Sequence, residues 1–163
     1  MSEAWIEELA GEIRRKNREA AERYGREQHF AGVIEASAPG FFLALTEYLR
    51  ENVEGIRRSL QGDVTAAEMA VERGAVNGVR IVRARFPWVD ARVTHQEETI
   101  TLDYAKDAGV VGEVTAERVV RMFVFRVGAD DRMYVEDGFA ERPERYETAE
   151  QLARKITELL FSV

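Results

Sequence analysis

One run of this sequence leaves little freedom in how it can fold. Between Pro39 and Leu60, the residues Phe42, Leu45, Leu49, Val53, Ile56 and Leu60 follow one another at steps of 3, 4, 4, 3 and 4. Such steps bring all six onto one side of an α-helix, so the segment predicts a helix with an unbroken apolar face, a central packing element. The preceding stretch GVIEASAPG supplies a start: Ser37 has the side chain of an N-cap, and Pro39 falls in the first turn, where its missing N–H forfeits no hydrogen bond. Gly62 marks the end.

A separate helix is predicted upstream, over residues 3–27, where Trp5, Ile6, Leu9, Ile13, Ala20 and Tyr24 recur at helical steps and glutamates are enriched near the start. Asn17 occupies a position where the apolar face should continue. The expectation is therefore that the first half of this helix packs and the second half lies over the surface.

Beyond Gly62 the period changes to two. Asn77 and Gly78 separate two strand-like runs, and this pair favours a type I′ hairpin because both central residues take positive φ. That turn would set Val76 opposite Val79, Glu72 opposite Arg83 and Met69 opposite Phe86. Phe86, Pro87 and Trp88 interrupt regular pairing, since Pro cannot donate to a ladder. Further strands are predicted from Val89 to His95 and from Thr99 to Tyr104, the second alternating Ile100, Leu102 and Tyr104 with polar residues.

The run ERVVRMFVFRV is apolar at both parities, with Met122 and Val124 on one side and Phe123 and Phe125 on the other, which predicts a strand covered on both faces. Arg132 to Asp137 reads as its hairpin partner. Thr148 and Gln151 form a capping-box pattern ahead of Leu152, Ile156, Leu159 and Leu160, the inner face of a closing helix. The order predicts one α+β domain over 1–163: two N-terminal helices, a mainly antiparallel sheet of five to six strands, and a C-terminal helix packed on it.

With 163 residues the chain can bury a core without metal or disulfide staples, and with no cysteine it has no thiolate ligand or thiol nucleophile. A net charge of −7 argues against a surface devoted to neutralising nucleic-acid phosphates. The opening MSEAWIEELAGEIRRKN has acids ahead of its basic cluster and no unbroken apolar run, unlike a secretory signal, and nowhere does an apolar stretch approach the roughly 20 residues that span a bilayer. The expected setting is cytoplasmic, without a membrane partner.

Candidate chemistry is sparse. His95 stands close to Glu97 and Glu98, but a metal site needs at least three convergent ligands, and Gln96 to Glu98 read better as the polar link between two strands. The other histidine, His29, could join only through tertiary contact. No metal or cofactor is implied. Arg14, Arg15, Lys16 and Arg18 form the densest basic run, with Glu12, Glu19 and Glu22 around them, the pattern of a salt-bridged helix face. No GxSxG elbow accompanies the serines, of which Ser37, Ser59 and Ser162 fall at helix ends, and no Lys-Ser/Thr pair follows Gly109 and Gly112 as in a phosphate loop. The carboxylate neighbours Asp130 with Asp131, Glu136 with Asp137, and Asp103 with Asp107 are no more than coincidence would give among 30 acids.

What stands out is apolar excess in the sheet. Three functional expectations follow. The leading one is a homodimeric, partner-binding interaction module without a catalytic role. The alternative is a small-molecule-binding domain or metal-independent enzyme, its pocket between sheet and helix lined by Trp88, Tyr104 and Met122, with Arg92 or His95 as polar anchor. Weak nucleic-acid binding through Arg14 to Arg18 comes last.

Overall fold

The computed structural model describes residues 3–62, 69–74, 77–84, 88–107, 116–138 and 141–162. A single long helix, α1 (Ala4–Ser59), is followed by β1 (Met69–Arg73), β2 (Gly78–Arg83), β3 (Val89–Gln96), β4 (Thr99–Asp107), β5 (Ala116–Val127), β6 (Met133–Asp137), β7 (Arg145–Tyr146) and α2 (Ala149–Phe161). The strands form one antiparallel meander in chain order. The architecture is α+β as the sequence predicts. Its two departures are one N-terminal helix in place of two, and seven strands in place of five or six. The seventh is only 2 residues long, too short for any alternation to register.

Both helices lie on one face of the sheet. From α1 come Ile34, Ala38, Phe42, Leu45, Leu49 and Val53; from α2, Leu152, Ala153, Ile156 and Leu160; from the strands, Val79, Ile81, Ala91, Val93, Ile100, Leu102, Phe123, Phe125 and Val135, all in one buried cluster. Polar contacts fix the helices against each other and against the strands. Asn52 donates to the Thr157 hydroxyl at 3.1 Å, joining α1 to α2. At the C-terminus of α2 the Lys106 ammonium donates to the carbonyls of Leu159 at 2.9 Å and Ser162 at 3.1 Å, satisfying groups that a helix C-terminus leaves open. The Thr148–Gln151 capping box at its N-terminus is present in both directions.

The predicted break at Ser37 and Pro39 does not occur, and α1 runs through both. Pro39 removes the N–H that would bond the Glu35 carbonyl, but Glu35, Pro39 and Gly40 are all exposed, so water can take that carbonyl. On the opposite side Ala38 and Phe42 are buried, and their packing holds the helix continuous across the proline.

The upstream segment corrects a second expectation. Its first half does not pack: Trp5 is 59% exposed, Ile6 50%, Leu9 48% and Ile13 51%, and no residue from Ala4 to His29 is buried. The reason is length. A helix of 56 residues extends ~84 Å, whereas the longest strand, of 12 residues, reaches ~40 Å. The N-terminal part of α1 thus stands clear of the sheet as an arm.

The β1–β2 hairpin has a different register from the one the Asn77–Gly78 pair predicts. Met69 pairs with Arg83, Glu72 with Arg80 and Arg73 with Val79. Asn77 does take a positive φ of 62°, but Gly78 is already strand, paired with Thr94 of β3. The turn is wider than two residues, closed by the Gly74 N–H donating to the Gly78 carbonyl at 3.1 Å. At Gly74 a Cβ would lie only 3.1 Å from the Gly78 carbonyl carbon, so the close approach favours glycine there. The controlling demand is burial: Val79 and Ile81 must face the helices beside Val93 and Ala91, and this register brings Met69 and Val71 to the same side. Val76, Phe86 and Pro87, named in the predicted pairing, lie outside the described residues, as do Gly109 and Gly112.

On β5 the expected two-sided cover is also absent among the described residues. Phe123 and Phe125 are fully buried under the helices; Met122 and Val124 are half-buried and Val120 is 50% exposed on the other side. The neighbours there are Thr101 and Thr99 on β4 and Glu136 on β6, in a polar, solvated row. One parity of β5 meets the core and the other lies among side chains whose aliphatic parts give only partial shelter.

Candidate functional site

His95 ends β3 at the β3–β4 hairpin, where Glu97 takes φ 48° and both Glu97 and Glu98 are exposed. Its Nε2 lies 3.0 Å from the Glu97 carbonyl oxygen, which can only accept, so Nε2 is the donor and Nδ1 is left as the second polar atom of the ring. The imidazole is wedged between Phe42, at 5.4 Å between centroids, and the edge of Phe125, at 5.7 Å. This is a hairpin-tip residue held by aromatic packing. Among the described residues no three His, Asp or Glu groups converge as a metal site.

The five residues singled out from sequence are divided between the two faces of the sheet. Tyr104 is buried on the helix-covered face of β4, opposite Ala91 and Val119. His95 is half-buried on that same face. Arg92 and Met122 belong to the open face. Trp88, half-buried just before β3, contributes its carbonyl to the Asp107 N–H at 3.1 Å. Arg92 lines a small depression of about 200 Å³ with Asp90, Asp103, Ala105 and Arg118. His95 lines a different and larger cleft.

The open face carries a charge ladder. The Arg80 guanidinium donates twice to Asp90, at 3.0 Å each, and also lies 3.8 Å from Glu72; Arg118 forks onto Asp103 in the same manner. Hydrogen bonds from these arginines hold Asp90 and Asp103 below the ordinary carboxylate range. With every acid in the depression matched by an arginine, the face behaves as a solvated ionic surface.

A second polar cluster sits under the sheet near β7. Asp137 is 2% exposed and accepts from Arg121 at 2.7 Å, while the Tyr146 hydroxyl donates to Glu144 at 2.7 Å. Burial first, and then the bond to Glu144, push the Tyr146 phenol well above its ordinary value; the same bond holds Glu144 down.

The larger cleft, of about 840 Å³, opens between α1, the β1–β2 hairpin and the end of β3. Its apolar wall comes from Phe42, Leu43 and Val79, and its polar groups are Thr46, Arg50, Arg73, Asn77 and His95. Leu43 is 62% exposed, a large apolar side chain off the buried face of α1. In sequence Leu43 was readable as out of phase with that face. Arg50 and Arg73 were two among 23 basic residues, and no spacing tied them together.

The basic run on the arm is exposed, with Lys16 at 3.4 Å from Glu12 and Arg15 at 4.0 Å from Glu19, each one helical turn apart. No helix among the described residues is long and apolar enough to cross a membrane. No family model matches the chain, and neither the curated proteins nor the solved structures compared with it give a match.

Proposed function

We propose that this chain is an interaction module that self-associates, two copies being joined through the arm formed by the N-terminal part of α1. The observation that carries the reading is one of phase. At 100° per residue, Ile6, Leu9, Ile13, Ala20 and Tyr24 fall on the same side of α1 as Ile34, Ala38, Phe42, Leu45 and Leu49. The face that packs on the sheet therefore continues beyond it as an apolar face with no partner. A lone helix of this kind gains little stability in water until its apolar face is covered.

The charges favour a second copy lying antiparallel. Glu3, Glu7, Glu8 and Glu12 precede Arg14, Arg15, Lys16 and Arg18. A parallel pair would set acids against acids and bases against bases; an antiparallel pair sets the acidic segment of each copy beside the basic segment of the other.

Sedimentation analysis of the protein and of a Leu9→Glu, Ile13→Glu variant tests this. Each side chain is already half covered by its own helix, so burying the remainder contributes about 1 kcal/mol. Two side chains in two copies give about 4 kcal/mol, roughly a thousandfold in Kd. The expected outcome is a dimer for the parent and a monomer with unchanged core stability for the variant. A parent that remains monomeric at high micromolar concentration refutes the proposal. Orientation is readable because the chain has no cysteine of its own: an Ile6→Cys protein mixed with an Asn17→Cys protein should cross-link as a heteropair more readily than Ile6→Cys with itself.

A further inference from the structure

We infer that the cleft between α1 and the β1–β2 hairpin is a binding site for a small carboxylate with an apolar body, of the medium-chain acyl or aryl acid type. This inference is independent of self-association through the arm. Two features of the cleft converge on that chemistry.

The first is unmatched positive charge. In a chain of net charge −7, Arg50 and Arg73 both line one concavity, and among the described residues neither makes an ion pair or hydrogen bond. Acids are near in sequence but engaged or turned elsewhere: Glu72, beside Arg73, pairs with Arg80, and Glu54, on the helix with Arg50, pairs with Arg57. Glu47, three residues before Arg50, lines no part of the cleft. Two arginines of the open sheet face show the contrast, since Arg80 and Arg118 each hold a carboxylate of the protein. A guanidinium presents parallel N–H groups that fit a carboxylate, and two of them at one cleft leave that acceptor to be supplied from outside.

The second feature is the apolar wall. Phe42, Leu43 and Val79 give a ligand body somewhere to lie, and the exposure of Leu43 gives the cleft an apolar surface that the fold itself does not cover. A volume of about 840 Å³ admits a body of that size.

Octanoate, acetate and octanol, titrated separately into the full chain and followed by amide and side-chain NMR shifts, test the assignment. Octanoate should perturb Phe42, Leu43, Arg50, Val79 and His95 together and saturate; acetate lacks the body and octanol the charge, so each should bind at least about tenfold more weakly. The Arg50→Gln, Arg73→Gln double variant alters two exposed side chains and should keep the parent's thermal transition while losing at least about tenfold in octanoate affinity. The assignment is overturned if octanol binds as well as octanoate, if the double variant binds octanoate unchanged, or if the shifts map to the arm around Leu9 and Ile13. Repeating the titration on the Leu9→Glu, Ile13→Glu protein keeps the two proposals separable, because the cleft should bind octanoate whether or not the arm dimerises.

Discussion

Replacing Pro39 with Ala asks directly whether α1 is one helix. In the structure Pro39 lies inside α1, its ring toward solvent, with the Glu35 carbonyl deprived of its helical donor. Pro in a helix interior is about 3 kcal/mol less favourable than Ala. Part of that is offset because Pro also restricts the unfolded chain, worth about 0.4–1 kcal/mol. Pro39→Ala should therefore stabilise the protein by about 2 kcal/mol, or about 4–8 °C in Tm for a domain of this size. Urea denaturation at fixed protein concentration, followed by far-ultraviolet circular dichroism, measures it. The competing arrangement, two helices with Ser37 as N-cap and Pro39 in the first turn, leads to the opposite result. There the proline costs nothing, Pro39→Ala is neutral or harmful, and Ser37→Ala loses about 1 kcal/mol. With a continuous helix, Ser37 is an exposed interior position and Ser37→Ala should gain a few tenths of a kcal/mol. A destabilising Pro39→Ala combined with a destabilising Ser37→Ala would refute the continuous helix.

Two further substitutions probe the polar cluster beneath the sheet. Asp137→Ala should cost about 3 kcal/mol, because it strands the Arg121 guanidinium, only 25% exposed, without its carboxylate; an Arg121→Met, Asp137→Leu double variant should recover much of the loss in chemical denaturation, and a double variant no better than Asp137→Ala would show that the pair is not the cause. Tyr146, whose folded phenol is raised above the ordinary value of 10.0, stays neutral while the unfolded chain ionises, so stability is fully present below that value and falls as pH rises beyond it. Tyr146→Phe should flatten this alkaline loss, and the difference in alkaline absorbance between the parent and this variant should show the Tyr146 phenol ionising only with unfolding. If that phenol ionises in the folded protein, the burial of Tyr146 has been misread.

Much of the fold was legible because it rests on local periodicity. The stripe from Phe42 to Leu60, the alternation of Ile100, Leu102 and Tyr104, and the Thr148–Gln151 box each specify an element through bonds and side-chain directions within a few residues. The turn at Gln96 to Glu98 was legible for the same reason, and with it the reading of His95 as a hairpin-tip residue. Errors arose where a local signal competed with burial. Asn77–Gly78 favours a two-residue turn, yet the need to place Val79 and Ile81 under the helices moved the register. Ser37 and Pro39 look like a helix start, yet the packing of Ala38 and Phe42 carried the helix through them. The candidate site was barely legible. Arg50 and Arg73 come from different elements, and only the approach of the β1–β2 hairpin to α1 makes them neighbours of one cleft.

The sequence by itself determined most of the helical and extended segments, which parity of β4 faces inward, and that the N-terminal part of α1 carries apolar residues at helical steps. These are properties of residue spacing, and spacing is written in the chain. Tertiary structure decided how far that face is covered, which hairpin register holds, and which arginines share a cleft. Each of those depends on the relative lengths and positions of packed elements: α1 is longer than the sheet it lies against, so Leu45 and Leu49 are sealed while Leu9 and Ile13, in the same helical phase, remain exposed.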